Sequence, residues 1–280
     1  MRIRRRLLPV IATAVAGVTA AALLYGGSAS AEPTPGATSG PTVPDRLIPP
    51  AVSPADGVHT DYFCDRAWKN VRANTGIGYN IYNDNFGAGT CIRNDGGTSF
   101  TVAASSVEDG YGAFPNISNG WEWGLSPLHD PTFPVQYRDD GSPRADVKTH
   151  LINSGIWNAA FDMWFSTYKQ ENGQDNAAEV MIWLDCRDNC IGQDSPIVTV
   201  DDVKFHKDTW IADHNGVRWR YTAYVAVSHR TYFTNLWLNP FFKNAGVKPT
   251  WYLTSIDFGF ELVHGGKGLS VTSYSLLDVR

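Results

Sequence analysis

Glu179-Val180-Met181-Ile182-Trp183-Leu184 is the stretch on which the reading of the fold turns. Successive side chains of a β-strand point to opposite faces, so Val180, Ile182 and Leu184 share one face while Glu179, Met181 and Trp183 share the other. The aliphatic trio belongs between two sheets. The remaining three then face away from that core. The same split recurs in Trp251 to Val263, where Tyr252, Thr254, Ile256, Phe258, Phe260 and Leu262 oppose Ser255, Asp257, Gly259 and Glu261. It recurs again in Ile156 to Phe165, where Trp157, Ala159, Phe161, Met163 and Phe165 oppose Asn158, Ala160, Asp162 and Trp164. Three strands each set a carboxylate beside aromatic or small residues, opposite a strongly apolar face.

Outward from these, Thr98 to Ala103, Trp219 to Ser228 and Leu269 to Leu276 are also rich in β-branched and aromatic residues, with turn residues between them. A single short helix is expected over Phe241 to Ala245, with Asn239 as its cap, Pro240 at the first helical position and Gly246 just past the end. Many strands and one short helix predict an all-β sandwich or barrel.

The chain has 280 residues, 18% of them charged, with 10 Trp, 12 Tyr and 13 Phe, more aromatics than a minimal core needs. Lys+Arg 23 against Asp+Glu 28 gives −5, which disfavours a nucleic-acid partner. Residues 1–31 read as a secretory signal peptide. Arg2, Arg4, Arg5 and Arg6 form the basic start, Leu7 to Leu24 the apolar stretch, and Ala29-Ser30-Ala31 the cleavage site. Its removal leaves a secreted, extracellular chain near −9 with no membrane segment. Residues 32–57, rich in Pro, Thr, Ser and Gly, read as a flexible linker, and residues 58–280 as one domain. Four cysteines, Cys64, Cys91, Cys186 and Cys190, in an exported chain point to disulfides, with three connectivities possible. Pairing Cys64 with Cys91 and Cys186 with Cys190 is the simplest of them. The spacing of these cysteines does not suit a metal, and neither a metal nor an organic cofactor is implied. The domain is expected to be a monomer.

Taken alone, each carboxylate on these strands fits an ordinary wet sheet face. Met181 and Trp183 are costly to leave on such a face. Gly259 beside Glu261 suggests that something approaches that strand closely. A concave sheet lined by aromatics and carrying two or three carboxylates suits a sugar polymer, whose rings stack on Trp and Tyr. Cleaving a glycosidic bond uses one carboxylate and one carboxylic acid.

Asn158-Ala159-Ala160-Phe161-Asp162-Met163-Trp164, Glu179-Val180-Met181-Ile182-Trp183, and Pro249 to Ser255 through Gly259-Phe260-Glu261 together resemble glycoside hydrolase family 12. The resemblance runs from about Tyr62 to Leu276. It implies a β-jelly-roll sandwich of two antiparallel sheets with a concave substrate cleft. It also implies an endo-β-1,4-glucanase or xyloglucanase acting on a β-glucan polysaccharide. Cys64-Asp65-Arg66 with Cys91 downstream resembles the family's N-terminal disulfide. Carried over by position, Glu179 is the expected nucleophile, Glu261 the expected acid/base, and Asp162 the carboxylate expected to orient Glu179. The two glutamates of such a retaining pair are expected about 5–5.5 Å apart. Glu179 is expected to stay ionised, with Glu261 raised by its neighbours and partial burial, giving a somewhat acidic optimum. Asp162 and Glu179 are expected to share a proton at low pH.

The resemblance also marks candidate sugar contacts at Phe86, Asp84 and Trp68, and the outward face of the Glu179 strand adds Met181 and Trp183. In Asn83-Asp84-Asn85-Phe86-Gly87 the family often has Asn at the second position and Trp at the fourth. Trp121 and Trp123 share one face of their segment, where core packing and cleft lining stay open; Trp123 is carried as a candidate contact. Glu261-Leu262-Val263 replaces the family's usual Glu-Pro-aromatic, and the Cys186–Cys190 segment replaces a plainer loop, so altered subsite preference is expected. Three rivals remain: a non-catalytic glycan-binding protein on the same fold, a xylanase-type jelly-roll glycanase, and a protein that acts by binding a host receptor, to which no residue points.

Overall fold

The computed structural model describes residues 60–72, 77–108, 110–121, 132–141, 143–169, 177–214 and 216–279. The expected signal peptide, the linker and Trp123 lie outside the described residues. In chain order the strands begin β1 (Tyr62–Cys64), β2 (Trp68–Arg72), β3 (Gly78–Asn85), β4 (Cys91–Gly96), β5 (Ser99–Ala104) and β6 (Ala113–Gly120). Then come β7 (Val135–Gln136), β8 (Arg144–His150), β9 (Ile156–Ser166), β10 (Ala178–Arg187) and β11 (Ile197–Val200). The chain closes with β12 (Val203–His214), β13 (Val217–Ala226), β14 (Tyr232–Trp237), helix α1 (Asn239–Asn244), β15 (Tyr252–His264) and β16 (Ser270–Leu277).

Two sheets stack. One has six strands in the order β1-β4-β5-β16-β8-β14. The other has ten, in the order β11-β12-β13-β10-β9-β15-β6-β3-β2, with β7 on β15. Their described pairings are antiparallel except for β10 with β13, which run parallel with Glu179 opposite Tyr221. The fold is the jelly-roll sandwich expected. Both cysteine pairs close as the simplest pairing predicts, Cys64 with Cys91 and Cys186 with Cys190.

The core between the sheets takes the apolar rows read from the sequence. Val180, Ile182 and Leu184 of β10, Phe161 of β9 and Phe258 and Phe260 of β15 pack against Phe100 and Val102 of β5 and Tyr274 of β16. Phe161 and Phe258 meet edge to face with ring centres 4.8 Å apart, the arrangement their quadrupoles favour. The alternation of β15 is broken by a bulge between Leu253 and Ser255. Leu253 therefore joins the core, and Tyr252, expected there, is only part-buried.

Helix α1 starts one residue earlier than expected. Leu238 is the cap residue, without a side-chain hydrogen bond, and Pro240 sits in the first turn. Asn239 instead turns its amide to the Asp139 carbonyl at 2.7 Å, so it fixes the helix to a loop rather than capping it. Gly246 ends the helix at φ +78°, a conformation that favours glycine. The fully buried Phe241 and Phe242 seat the helix in the core.

Gly259 is correctly read as a point of close approach, and the approaching group is strand β6. A Cβ there would lie 2.3 Å from the Pro115 carbonyl oxygen and 2.7 Å from Asn116 Cβ. Gly259→Ala should force β15 off β6 and cost about 3 kcal/mol. At this domain size that lowers the melting temperature by roughly 6–12 °C. An unchanged melting temperature would contradict the packing described.

Candidate active site

Strand β9 lies between β10 and β15, and its outward-facing row organises the site. Asn158 is paired across β15 with Glu261, Asp162 lies between Asp257 of β15 and Met181 of β10, and Trp164 is paired with Glu179 of β10. The period of two puts all of these on the face turned away from the six-stranded sheet. The three sequence-predicted carboxylates thus come from three adjacent strands and share one face. That face is dry around them. Trp164, Met181, Trp183, Trp219 and Tyr221 form a second apolar cluster there, each of them buried. Asp162 and Glu179 are only 7% exposed, while Glu261 is part-buried.

Each carboxylate accepts a hydrogen bond from a neighbour whose identity is specific. Trp219 Nε1 donates to Glu179 Oε2 at 2.6 Å, and Trp164 Nε1 donates to Asp162 Oδ2 at 2.9 Å. Asn158 Nδ2 donates to Glu261 Oε2. Asp162 Oδ1 is buried and has no hydrogen-bond partner among the described residues.

Removal from water dominates the acidities, because burial penalises the charged form. Glu261 is pushed up to about 7 by burial, against the opposing effect of the Asn158 amide. Asp162 is pushed up to about 8, first by burial and then by the charge of Glu261, with the Trp164 N–H opposing. Glu179 is raised well above the carboxylate range, by burial first and the Asp162 charge second, with the Trp219 N–H opposing. The expectation that Glu179 simply stays ionised omits this burial. Three carboxyl groups in one dry patch cannot all be charged, and protons must remain on some of them near neutrality. A site that holds a proton on one carboxyl and a charge on another can donate an acid proton and attack an electrophile in the same turnover.

The other predicted contacts divide by exposure. Phe86 is 48% exposed at the end of β3, with Tyr111 beside it at a ring-centre distance of 5.1 Å. Met181 and Trp183 are 1% and 3% exposed and form the floor of the carboxylate patch, with the Tyr221 hydroxyl donating to Met181 Sδ. Trp68, expected as an open contact, is 2% exposed and packed on Tyr82. Asp84 is also buried. Its carboxylate accepts from Arg66 Nη2 at 2.8 Å, so it serves an ion pair rather than standing open. Trp121 packs against the main core, which settles its open reading in favour of packing. His264 is exposed and its ring Nδ1 bonds the Glu108 carbonyl. Among the described residues no group of three His, Cys, Asp or Glu side chains is placed to hold a metal ion.

The model of Glycosyl hydrolase family 12 matches residues 79–278, a span that contains all three carboxylates. The chain belongs to that family. Endoglucanase S of Pectobacterium parmentieri is 27% identical over 176 residues, covering 60% of this chain and 66% of that protein. Among solved structures, endoglucanase cel12A from Rhodothermus marinus is 29% identical with a TM-score of 0.66, covering 78% of this chain and 98% of that one. A metagenome-derived glycoside hydrolase family 12 endoglucanase is also 29% identical, with a TM-score of 0.65, covering 77% of this chain and 96% of that one.

Family resemblance marked the carboxylates but not the groups that hold them. Trp219, which touches Glu179, and Asn158, which touches Glu261, were not among the candidate residues. Asn158 stood on the right face of β9, and its place opposite Glu261 follows from pairing β9 with β15. Trp219 had no such signal. It reaches Glu179 because β13 pairs with β10 in parallel, and a sequence does not announce a parallel neighbour within a largely antiparallel sheet.

Proposed function

We propose that the chain is a secreted, retaining endo-β-1,4-glucanase acting on soluble β-glucans. The observation that carries the proposal is the convergence of Glu179, Asp162 and Glu261 from adjacent strands on one dry face. The endoglucanase names of the 27–29% identical relatives supply the substrate class. Two disulfides and the N-terminal signal pattern suit an oxidising, extracellular setting.

In this reading the reactive form is the one with the charge on Glu179, held by the Trp219 N–H, and the proton on Glu261. Burial raises Glu179 and makes this a minor proton arrangement of the resting patch. The Glu179 carboxylate attacks the anomeric carbon to form a glycosyl-enzyme intermediate. Glu261 delivers its proton to the departing glycosidic oxygen and then takes one from the incoming water. Asp162 keeps its own proton near neutrality, so no second charge stands beside the nucleophile. Asn158 fixes the Glu261 carboxyl. Glu261 must be protonated to act as the acid, so kcat/KM falls as pH rises through about 7.

The test is reducing-end release by residues 32–280 on barley β-glucan, carboxymethylcellulose, xyloglucan and xylan, with Glu179→Gln and Glu261→Gln as controls. Release from a glucan that both substitutions abolish supports the proposal. Release from xylan alone moves the chain to xylanase-type chemistry. Tight glucan binding with no release would make it a glycan-binding protein.

Trp219 offers a finer check. Trp219→Phe keeps the ring and removes the N–H that favours the charged form of Glu179. A hydrogen bond to a charged group contributes about 1.5–3 kcal/mol, so kcat should drop roughly 10- to 100-fold. The acid limb of the pH profile should move to higher pH, because Glu179 becomes harder to ionise. An acid limb that stays in place would remove Trp219 from this role.

A further inference from the structure

Arg66 takes no part in the chemistry above, yet it stands on the same sheet face at the β2/β3 end. Its Nη2 donates to Asp84 Oδ1 at 2.8 Å and its Nε to the Tyr82 hydroxyl at 3.0 Å. The guanidinium carbon lies 5.6 Å from the centre of the Phe86 ring and 6.0 Å from that of Tyr82. These two bonds occupy two of the five guanidinium N–H groups and fix its plane. The side chain remains 38% exposed, against 7% for that of Asp84.

The register sets this group near the acid/base. Asp84 and Asn85 of β3 pair with Phe114 and Ala113 of β6, and Ala113 pairs with Leu262, next to Glu261. Two strand spacings separate β3 from β15, about 10 Å. An exposed aromatic ring with a pinned, half-open guanidinium beside it therefore lies within reach of a chain bound at the carboxylates. Asp84 cancels the charge of Arg66, so the pair presents hydrogen-bond donors without a net field. That suits a neutral, hydroxyl-rich ring rather than an anion.

We propose that Arg66 is a specificity-determining residue, donating hydrogen bonds to the hydroxyls of a neutral glucosyl unit that stacks on Phe86. The proposal rests on the glucanase reading above.

The test compares kcat/KM on cellohexaose with kcat/KM on cellotriose, since the longer chain can extend to this end of the sheet face. Arg66→Gln should lower the ratio of the two about tenfold, the loss of a charged hydrogen-bond donor. Because that variant strands the buried Asp84 carboxylate, the Arg66→Gln/Asp84→Leu double variant, which removes the charge without adding a donor, is run beside it. The ratio should stay low there too. A ratio within twofold of wild type in the double variant would show that Arg66 only neutralises Asp84, and would overturn the proposal. If wild type turns over no glucan, the glucanase reading fails, and calorimetry with cellohexaose decides this proposal separately. Affinity about tenfold weaker in the double variant than in wild type is expected, and equal affinity overturns it.

Discussion

Glu179→Gln should lower kcat on β-glucan by at least about 10⁴-fold, the scale seen when a covalent nucleophile is removed. The amide is nearly the same size as the carboxylate and can still accept from Trp219 Nε1, so the fold should persist. What disappears is the charge that attacks the anomeric carbon. The substitution also removes one of the three ionisable carboxyl groups that crowd the patch. Asp162, which raises Glu179 by its charge, then titrates beside a neutral amide. Glucan affinity should therefore survive while turnover does not, and calorimetry beside the rate measurement separates the two. A residual rate above about 1% of wild type would place the nucleophile elsewhere.

Glu261→Gln should act on both rate and stability. Without a proton donor the leaving oxygen departs unassisted, which costs about 10²–10⁴-fold on a polysaccharide. An aryl glycoside with a good leaving group should lose much less, because its departure needs no proton. The stability effect has the opposite sign. Glu261 is raised from 4.5 to about 7 in the fold, so the folded protein holds this proton more tightly than the unfolded chain. Its contribution is fully present below the unfolded value and is lost as pH rises through about 7. At pH 8 the buried charge costs on the order of 3 kcal/mol, and glutamine avoids it. The variant should melt at least about 5 °C above wild type at pH 8, with the difference shrinking towards pH 4. A difference independent of pH would mean that the fold does not raise Glu261 as described. Asp162, raised to about 8 first by burial, adds a trend in the same direction to both proteins, smaller in the variant because the Glu261 charge that helps raise it is gone.

This opposition between activity and stability also governs what could be read from the sequence. The apolar rows of β9, β10 and β15 alternate strongly because each has a dry core on one side. Their outward rows, with the three carboxylates, were legible for the same reason. Strands β3 and β6 were not singled out. Asn80, Asn83, Asn116, Ser118 and Asn119 are buried polar residues, and they blur the period of two that a strand normally presents. The β15 bulge moved Leu253 into the core and Tyr252 out of it, a one-residue slip that no alternation rule detects. Resemblance named Trp68 and Asp84 as contacts, and both are buried by partners from β3 and the turn after β1. Arg66 carried no signal at all. Its bond to Asp84 exists only once β2 and β3 are paired.

The measurement closest to the central claim is the configuration of the first product released. Proton NMR of the anomeric position, recorded in the first minutes of β-glucan hydrolysis before mutarotation, distinguishes the two outcomes. The two-glutamate account predicts that the β-anomer forms first and the α-anomer grows in later. The α-anomer first would mean single displacement by water, and would contradict the assignment of Glu179 as nucleophile.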